Sequence, residues 1–465
     1  MMSGAAYFSV AALCLALSAC AAVGPDYHRP DAILSANFKE IKGWKAATPR
    51  DDFAKGEWWT IFHDAELNRL EASVAISNQT LKADTANYFV ALELINQAGA
   101  QILPSLAFNP TFTRNNTGDN LNAQLSASWT LDLWGKIRRT VEADNAAAQV
   151  SAATLDNARL SAQSALALAY VQLRQADSLD ALLSQTISDY KRSQQIANNQ
   201  YAAGTTSKAD FITAQAQSLA AQAQQINVGV ARAQNEHAIA VLMGRPPANL
   251  SIAHGALAQN IPAIPIGLPS SLLERRPDIA AAERAMQQSN ANIGAAIALY
   301  FPDITLSGAF GYSGNPFIKA LAGANPVWSL GIGAAQSVFN GGLIDAQVAS
   351  AKDAYQANVA TYRQSVLSAL QQVEDQLAAI RILSREASVQ AQATDAARQA
   401  VQIAINEYGA GTQSYTSVVS AQATLLSDEE SALTTRAQRL TAAISLVVAL
   451  GGGWREAGLV AAKPQ

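Results

Sequence analysis

The sequence predicts an α+β membrane protein: an internally duplicated chain with four β-strands, which close only as a homotrimeric 12-stranded β-barrel, continued by a long coiled-coil α-helical barrel. Three observations carry this expectation. The stretch QIANNQYAAGTTS, residues 195–207, returns 207 positions later as QIAINEYGAGTQS, residues 402–414. Two runs, Lys136 to Ala203 and Leu343 to Tyr408, contain neither glycine nor proline. Four segments alternate between apolar and polar residues, the period of a strand with two different faces.

Extended without gaps, the repeat places Ala214-Gln215-Ala216 on Ala421-Gln422-Ala423, Leu219 on Leu426, Arg232 on Arg439 and Gly244 on Gly451. Upstream, with small length changes, Pro104 answers Pro302 and Trp134-Gly135 answers Asn340-Gly341. The period far exceeds the roughly 20–50 residues of solenoid repeats, so each half is a large substructure. Only 15% of residues are charged and 49% are hydrophobic, many of them alanine, which suits closely packed helices. The net charge of -4 offers no basic field to a polyanion and argues against a nucleic-acid partner.

The chain opens with an apolar core ending in Leu17-Ser18-Ala19-Cys20, small residues before a cysteine. This reads as a secretory signal over residues 1–19, too short for a spanning helix, with a bacterial lipoprotein processing site. Its n-region is unusual in lacking Lys and Arg; the first arginine is Arg29. Cys14 leaves with the signal and Cys20 becomes the acylated N-terminus, so no intrachain disulfide is expected. Ala21 follows where an aspartate often retains such lipoproteins at the inner membrane, which leaves an outer-membrane address open.

Each glycine-free run, taken as uninterrupted helix at about 1.5 Å per residue, is about 100 Å long. Within the first run a seam of Ala162, Leu166, Ala169, Leu173, Ala176, Leu179, Leu183, Ile187 and Tyr190 follows alternating three and four spacing, a coiled-coil pattern. Each run meets a Gly-Thr turn, Gly204-Thr205 or Gly411-Thr412, and a second helix follows, so the repeated motif is the tip of a helical hairpin.

At the other end of each long helix the period is 2. Leu121, Ala123, Leu125, Ala127, Trp129 and Leu131 alternate with Asn122, Gln124, Ser126, Ser128 and Thr130. Before them Leu106, Phe108, Pro110 and Phe112 alternate with Ala107, Asn109, Thr111 and Thr113, and the polar segment Asn115 to Asn120 reads as the turn. The second half repeats this with Ile304, Leu306, Gly308, Phe310 and Tyr312, and a fourth strand falls near Val327 to Val338. An aromatic-bearing apolar face backed by small polar residues suits an outer-membrane barrel, for which a soluble sandwich is the competing reading. Four strands cannot close, and an open edge in lipid leaves backbone groups unpaired. Three copies give 12 strands and an interior wide enough for a passage.

The predicted organisation is thus a signal at 1–19, a lipid-anchored segment at 20–56, a first repeat at 57–243, a linker at 244–268, a second repeat at 269–454 and a tail at 455–465. The first repeat holds strands near 104–114 and 121–132, a long helix at 136–203 and a helix at 205–243. The second holds strands near 302–313 and 326–338, a long helix at 343–408 and a helix at 412–450.

These residues resemble the outer-membrane factors, the exit ducts of tripartite efflux pumps, and in particular their lipoprotein branch. The marks are Val23-Gly24-Pro25-Asp26-Tyr27-His28-Arg29-Pro30, Trp58-Trp59 followed by Phe62 and Asp64, and Leu272-Leu273-Glu274-Arg275-Arg276-Pro277-Asp278-Ile279. Tyr300-Phe301-Pro302 and Ala449-Leu450-Gly451-Gly452-Gly453-Trp454 complete them. The resemblance implies a passive trimeric duct for drugs or other small molecules. Its implied partners are a periplasmic adaptor and an inner-membrane transporter of the resistance-nodulation-division type, with the linker and tail in an equatorial region around the helices. It also implies a periplasmic aperture at Asp210, Tyr408, Gln413, Ser417 and Ser420, and adaptor contacts at the tips Gly204, Thr205, Lys208, Gly411 and Thr412. Ser417 and Ser420 stand where relatives often carry aspartate, so a strongly acidic ring is not expected.

No catalytic or metal role is expected, and no cofactor. His28, His63, His237 and His254 lie in unrelated segments without metal-ligand spacing. Gly451-Gly452-Gly453 follows a helix instead of opening one, which suits a helix stop and not a phosphate cradle. Arg275-Arg276-Pro277-Asp278 reads as helix-start chemistry, and Trp58-Trp59 as packing. Type I protein secretion and metal efflux remain alternatives within the duct class, and a non-conducting lipid-anchored coiled-coil scaffold outside it.

Overall fold

The computed structural model describes residues 22–31, 38–41, 57–116, 118–262, 264, 275–314 and 326–452. Cys20, the predicted signal, Trp454, the tail at 455–465 and Leu272 to Glu274 lie outside the described residues. Helices α1 (Ala65–Ser77) and α2 (Gln79–Ala100) lead to strands β1 (Ser105–Asn115) and β2 (Gly118–Leu131), then to α3 (Lys136–Ala202) and α4 (Lys208–Leu242). The second half runs α5 (Pro277–Ile297), β3 (Asp303–Gly314), β4 (Pro326–Ala335), α6 (Leu343–Gly409) and α7 (Tyr415–Ala449). Both ends of α3 and α4 recur 207 residues later in α6 and α7, which match them at 67 and 35 residues.

The same offset corrects the alignment at the strand-to-helix corner. Gly135 and Gly342 are the left-handed N-caps of α3 and α6, with φ of 79° and 84°, so Trp134-Gly135 corresponds to Gly341-Gly342 and not to Asn340-Gly341. The β1–β2 turn is shorter than the polar run Asn115 to Asn120 suggested. The ladder continues to Arg114↔Asp119 and Asn115↔Gly118, and Arg114 bridges Asp119 at 2.8 Å across the strands. A cross-strand ion pair and ladder hydrogen bonds override the turn-like composition there. β4 ends at Ala335, short of residue 338. The second hairpin helices start at Lys208 and Tyr415 instead of 205 and 412, because the residues between belong to the hairpin turns.

The helices stand in four columns. Two are the unbroken α3 and α6. The other two are composite: Asn78, which caps α2, donates to the Leu242 carbonyl at 2.8 Å and so abuts α4 on α2, while Arg276 donates to Ala449 at 2.9 Å and abuts α7 on α5. Both joints need glycine. Gly244 and Gly451 have φ of 66° and 95°, and a Cβ would come within 2.0 Å of the Ser77 carbonyl or 2.4 Å of the Arg275 carbonyl. The columns pack in the order α4/α2, α3, α7/α5, α6. The sheet has the order β1-β2-β3-β4, all antiparallel, so each strand continues its own column. Among the described residues β1 pairs only with β2 and β4 only with β3.

The core collects where the columns are thickest. Leu166, Leu173, Ile239, Met243, Ile279, Tyr362, Val366, Val373 and Leu446 belong to one buried cluster. Seven members of the seam expected on α3 are buried, and Ala162 and Leu179 are half-buried. Trp58 and Trp59 are buried edge to face, with centroids 5.9 Å apart. Asp64 caps α1 through the amides of Glu66 and Leu67, and its other oxygen accepts from Tyr170 of α3 at 2.8 Å. Wrapped around this level is the linker after α4, clasped by a buried carboxylate. Asp177 accepts from Arg174, Arg232 and the Gly255 amide, while the two arginines donate to the Ala253 and Ile252 carbonyls. Nearby, Glu374 of α6 takes the amides of Lys39 and Glu40, and Glu40 pairs with Arg381.

Glu71 of α1 is wholly buried, and neither of its carboxyl oxygens has a hydrogen-bond partner among the described residues. Burial pushes its pKa up to about 9 from 4.5. The folded state therefore holds a proton that the unfolded state releases between those values, and stability falls as pH rises through that window. Glu71→Gln is expected to exceed the wild type by on the order of 3 kcal/mol at pH 7, with the gap closing toward pH 4.5, in denaturant titrations at both pH values.

Candidate functional site: sheet faces and hairpin tips

The register sorts the sheet into two chemically different faces. Phe108, Leu125, Phe310 and Trp328 form one row across the four strands, followed by Leu106, Ala127, Gly308 and Leu330, and then Trp129, Leu306 and Ile332. These side chains have no core beneath them: Trp328 is 76% exposed, Leu330 82% and Phe108 65%. The opposite face carries Ala107, Ser126, Ala309 and Ser329 in one row and Asn109, Gln124, Gly311 and Val327 in the next. A sheet that is apolar on its bare face and small and polar on the other suits lipid on one side and water on the other.

At the far end of the helices each hairpin closes through the same turn. Gly204 and Gly411 adopt φ of 72° and 73°. Thr205 and Thr412 donate their amides to Gln200 and Glu407 at 3.0 Å, and their hydroxyls return to the same carbonyls. This satisfies the carbonyls orphaned at each helix end. Gly204, Thr205, Lys208, Gly411 and Thr412 are all exposed.

The structure brings together some of the expected aperture residues. Tyr408 is buried against Tyr415 at 5.1 Å between centroids, within a small cluster of Ala197, Ala214, Ala404 and Val418. Its hydroxyl donates to Asp210 at 3.4 Å, and Ser207 also donates to Asp210. Gln200 of the first hairpin donates to the Tyr408 carbonyl at 3.1 Å, tying the tips to each other. Burial, with the Asp210 charge adding to it, holds the Tyr408 hydroxyl above its ordinary pKa, so it remains a neutral donor. Among the described residues the Ser417 hydroxyl donates to the Gln413 side chain at 3.2 Å, and the exposed Ser420 accepts from Thr424 through its carbonyl. Those three are not joined to Asp210.

Sequence reasoning missed Tyr415, whose buried hydroxyl has no hydrogen-bond partner among the described residues. The signal was available: Tyr415 lies 207 positions after Lys208, so an aromatic replaces an ammonium at the matching place. Also missed was the buried bond from Gln422 of α7 to Ser193 of α3 at 2.8 Å, just above the tip cluster. Tyr201, the counterpart of Tyr408, is exposed. Among the described residues no group of His, Asp or Glu has the arrangement of a metal site.

The family profile described as outer membrane efflux protein matches residues 72–245 and 268–452. The toluene efflux pump outer membrane protein TtgF of Pseudomonas putida is 29% identical, with 96% of this chain and 97% of that protein covered. Nodulation protein T of Rhizobium leguminosarum bv. trifolii is 28% identical, with 88% and 90% covered. Among solved structures, the outer-membrane channel OprN superposes with a TM-score of 0.86 at 27% identity, over 93% of this chain and 99% of that one. With strands, columns and hairpins spanning the matched residues, the chain belongs to the outer membrane efflux protein family.

Proposed function

We propose that three copies of this chain form a passive efflux duct, a 12-stranded barrel in the outer membrane continued by a helical tunnel through the periplasm. The observation that carries the reading is the coincidence of edges. Among the described residues the outer edges of β1 and β4 have no partner strand, and the columns beneath them, α4/α2 and α6, are the outermost. Both outer columns expose apolar seams in heptad register: Ile212, Leu219 and Ile226 on α4, and Ile382, Val389 and, two heptads further on, Ile403 on α6. Such seams suit helix pairing with a neighbouring copy, and backbone groups at a sheet edge in lipid require a partner strand.

Acylation of Cys20 fits the same frame. The Val23 amide donates to the Trp134 carbonyl at the corner between β2 and α3, and Arg139 holds the Val23 and Gly24 carbonyls and the Asp26 carboxylate. Cys20 precedes Val23 by three residues, a chain reach of about 10 Å, so acyl chains on it would enter the inner leaflet near that corner. The polar face of the sheet lines the passage. Small molecules such as drugs and solvents are the cargo, delivered by a resistance-nodulation-division transporter through a periplasmic adaptor that meets Gly204, Thr205, Lys208, Gly411 and Thr412.

The aperture of this duct closes by packing and neutral hydrogen bonds. Tyr408 and Tyr415 supply the packing, and Asp210 is the acid they enclose; Gln413, Ser417 and Ser420 add an amide and hydroxyls, worth about 1 kcal/mol per hydrogen bond.

The native mass of the detergent-extracted mature protein is expected to be that of three chains, each with acyl mass on Cys20; a monomer without lipid would sink the duct. In planar bilayers the cation selectivity should be weak, and Asp210→Asn should lower it further, as reversal potentials would reveal; strong selectivity that survives the substitution contradicts the neutral aperture. Lys208→Glu should weaken cross-linking to the adaptor and drug export together, and unchanged values of both would place docking elsewhere.

A further inference from the structure

Where the linker crosses the helices, a cavity of about 800 Å³ opens between α3, the linker, α6 and α7. Its linker wall is fixed in place, because the Gly255 amide donates to Asp177 at 3.1 Å and the Leu257 amide to the Ser178 hydroxyl at 2.8 Å. Leu182, Leu257 and Leu433 give the cavity an apolar lining, and the last two belong to the main core. The size is that of a small-molecule pocket, for which about 300–1,000 Å³ is usual, with apolar walls and a few polar groups that set orientation.

Two charges in this lining are left over. On α7, Glu429 accepts from Arg398 of α6 at 2.9 Å, while Arg436, also lining the cavity, is half-buried with no hydrogen bond or ion pair among the described residues. On α3, Asp177 is taken by Arg174 and Arg232, while Asp180, half-buried in the same cavity, has no partner among the described residues. A charge held partly away from water without a counter-charge is costly. The duplication shows that the hairpin plan does not require either one: at the 207-residue offset Asp180 is matched by Ala387 and Arg436 by Gly229.

We propose that this cavity binds a small zwitterion with an apolar body. Arg436 takes its carboxylate, Asp180 takes its ammonium, and Leu182, Leu257 and Leu433 cover the part between. A simple anion or a simple cation would leave one of the two charges unpaired, so the pair selects for both groups on one molecule. A short peptide with free ends has this chemistry. Three residues span about 10 Å between their ends, and neighbouring helices such as α3 and α7 lie about 8–10 Å apart, so a tripeptide reaches from one to the other. The inference rests on the single chain and not on the duct reading, so it stands or falls separately.

The test is titration calorimetry of the purified full chain in detergent with the tripeptide alanyl-leucyl-alanine, and with the same peptide acetylated at its N-terminus or amidated at its C-terminus. The wild type should bind the free peptide saturably and each blocked form about ten-fold more weakly, the effect of losing one hydrogen bond to a charged group. Arg436→Gln should abolish the preference over the amidated form and keep that over the acetylated form; Asp180→Asn should do the reverse. A variant that merely misfolds cannot produce this crossed pattern. The proposal is overturned if the wild type binds free and blocked peptides alike, if it binds none of them, or if either variant keeps the preference assigned to its own charge.

Discussion

Everything in this architecture depends on the requirement that backbone N–H and C=O groups find partners where there is no water. Among the described residues the four-stranded antiparallel sheet, with its bare aromatic face, meets that requirement at β2 and β3 and leaves it unmet along the outer edges of β1 and β4. The helices inherit the same boundary, because each strand continues one helical column and the column order equals the strand order. The edge of the sheet is therefore also the edge of the helical layer. In the proposed duct one association would satisfy both, hydrogen bonds in the lipid and apolar seams below it.

Duplication supplies the four columns cheaply but leaves matching positions free to diverge. The tips show what divergence does. Lys208 and Tyr415, Asp210 and Ser417, and Tyr201 and Tyr408 are matched pairs, yet only the second hairpin buries an aromatic pair and only the first brings a carboxylate to it. The contact between the tips joins unlike halves, with the Gln200 amide on the Tyr408 carbonyl crossing from one to the other. The backbone turns themselves, with glycine in the left-handed region at both tips, are identical and do not distinguish the hairpins.

Around the middle, charge does structural work that composition concealed. With so few charged residues overall, several pair where at least one partner is buried: Asp177 with Arg174 and Arg232, and Arg139 with the partly buried Glu142 and the exposed Asp26. Each pair also donates to or accepts from main-chain groups of a segment that has no regular structure. Buried ion pairs stabilise little net of their desolvation, but removing one partner leaves an uncompensated charge. These clasps therefore fix where the linker and the N-terminal segment lie, more than how stable the fold is. Glu71, buried with no hydrogen-bond partner among the described residues, works in the opposite sense and is kept neutral by its surroundings.

What the sequence determined by itself is whatever repeats along the chain. The 207-residue offset, the glycine-free runs and the period-2 alternation locate helices and strands to within a few residues, because those patterns reflect local geometry and which face is wetted. The expectation of open edges and of further copies to close them followed from counting strands. Tertiary structure alone decided the end-to-end joints at Gly244 and Gly451, the Asp177 clasp, and the Tyr408–Tyr415–Asp210 contact. In each of these, residues from distant parts of the chain meet through one hydrogen bond or one close approach. Asp177 and Arg232 are 55 positions apart and Asp210 and Tyr408 are 198 apart, and no periodicity encodes a single contact made across such a distance.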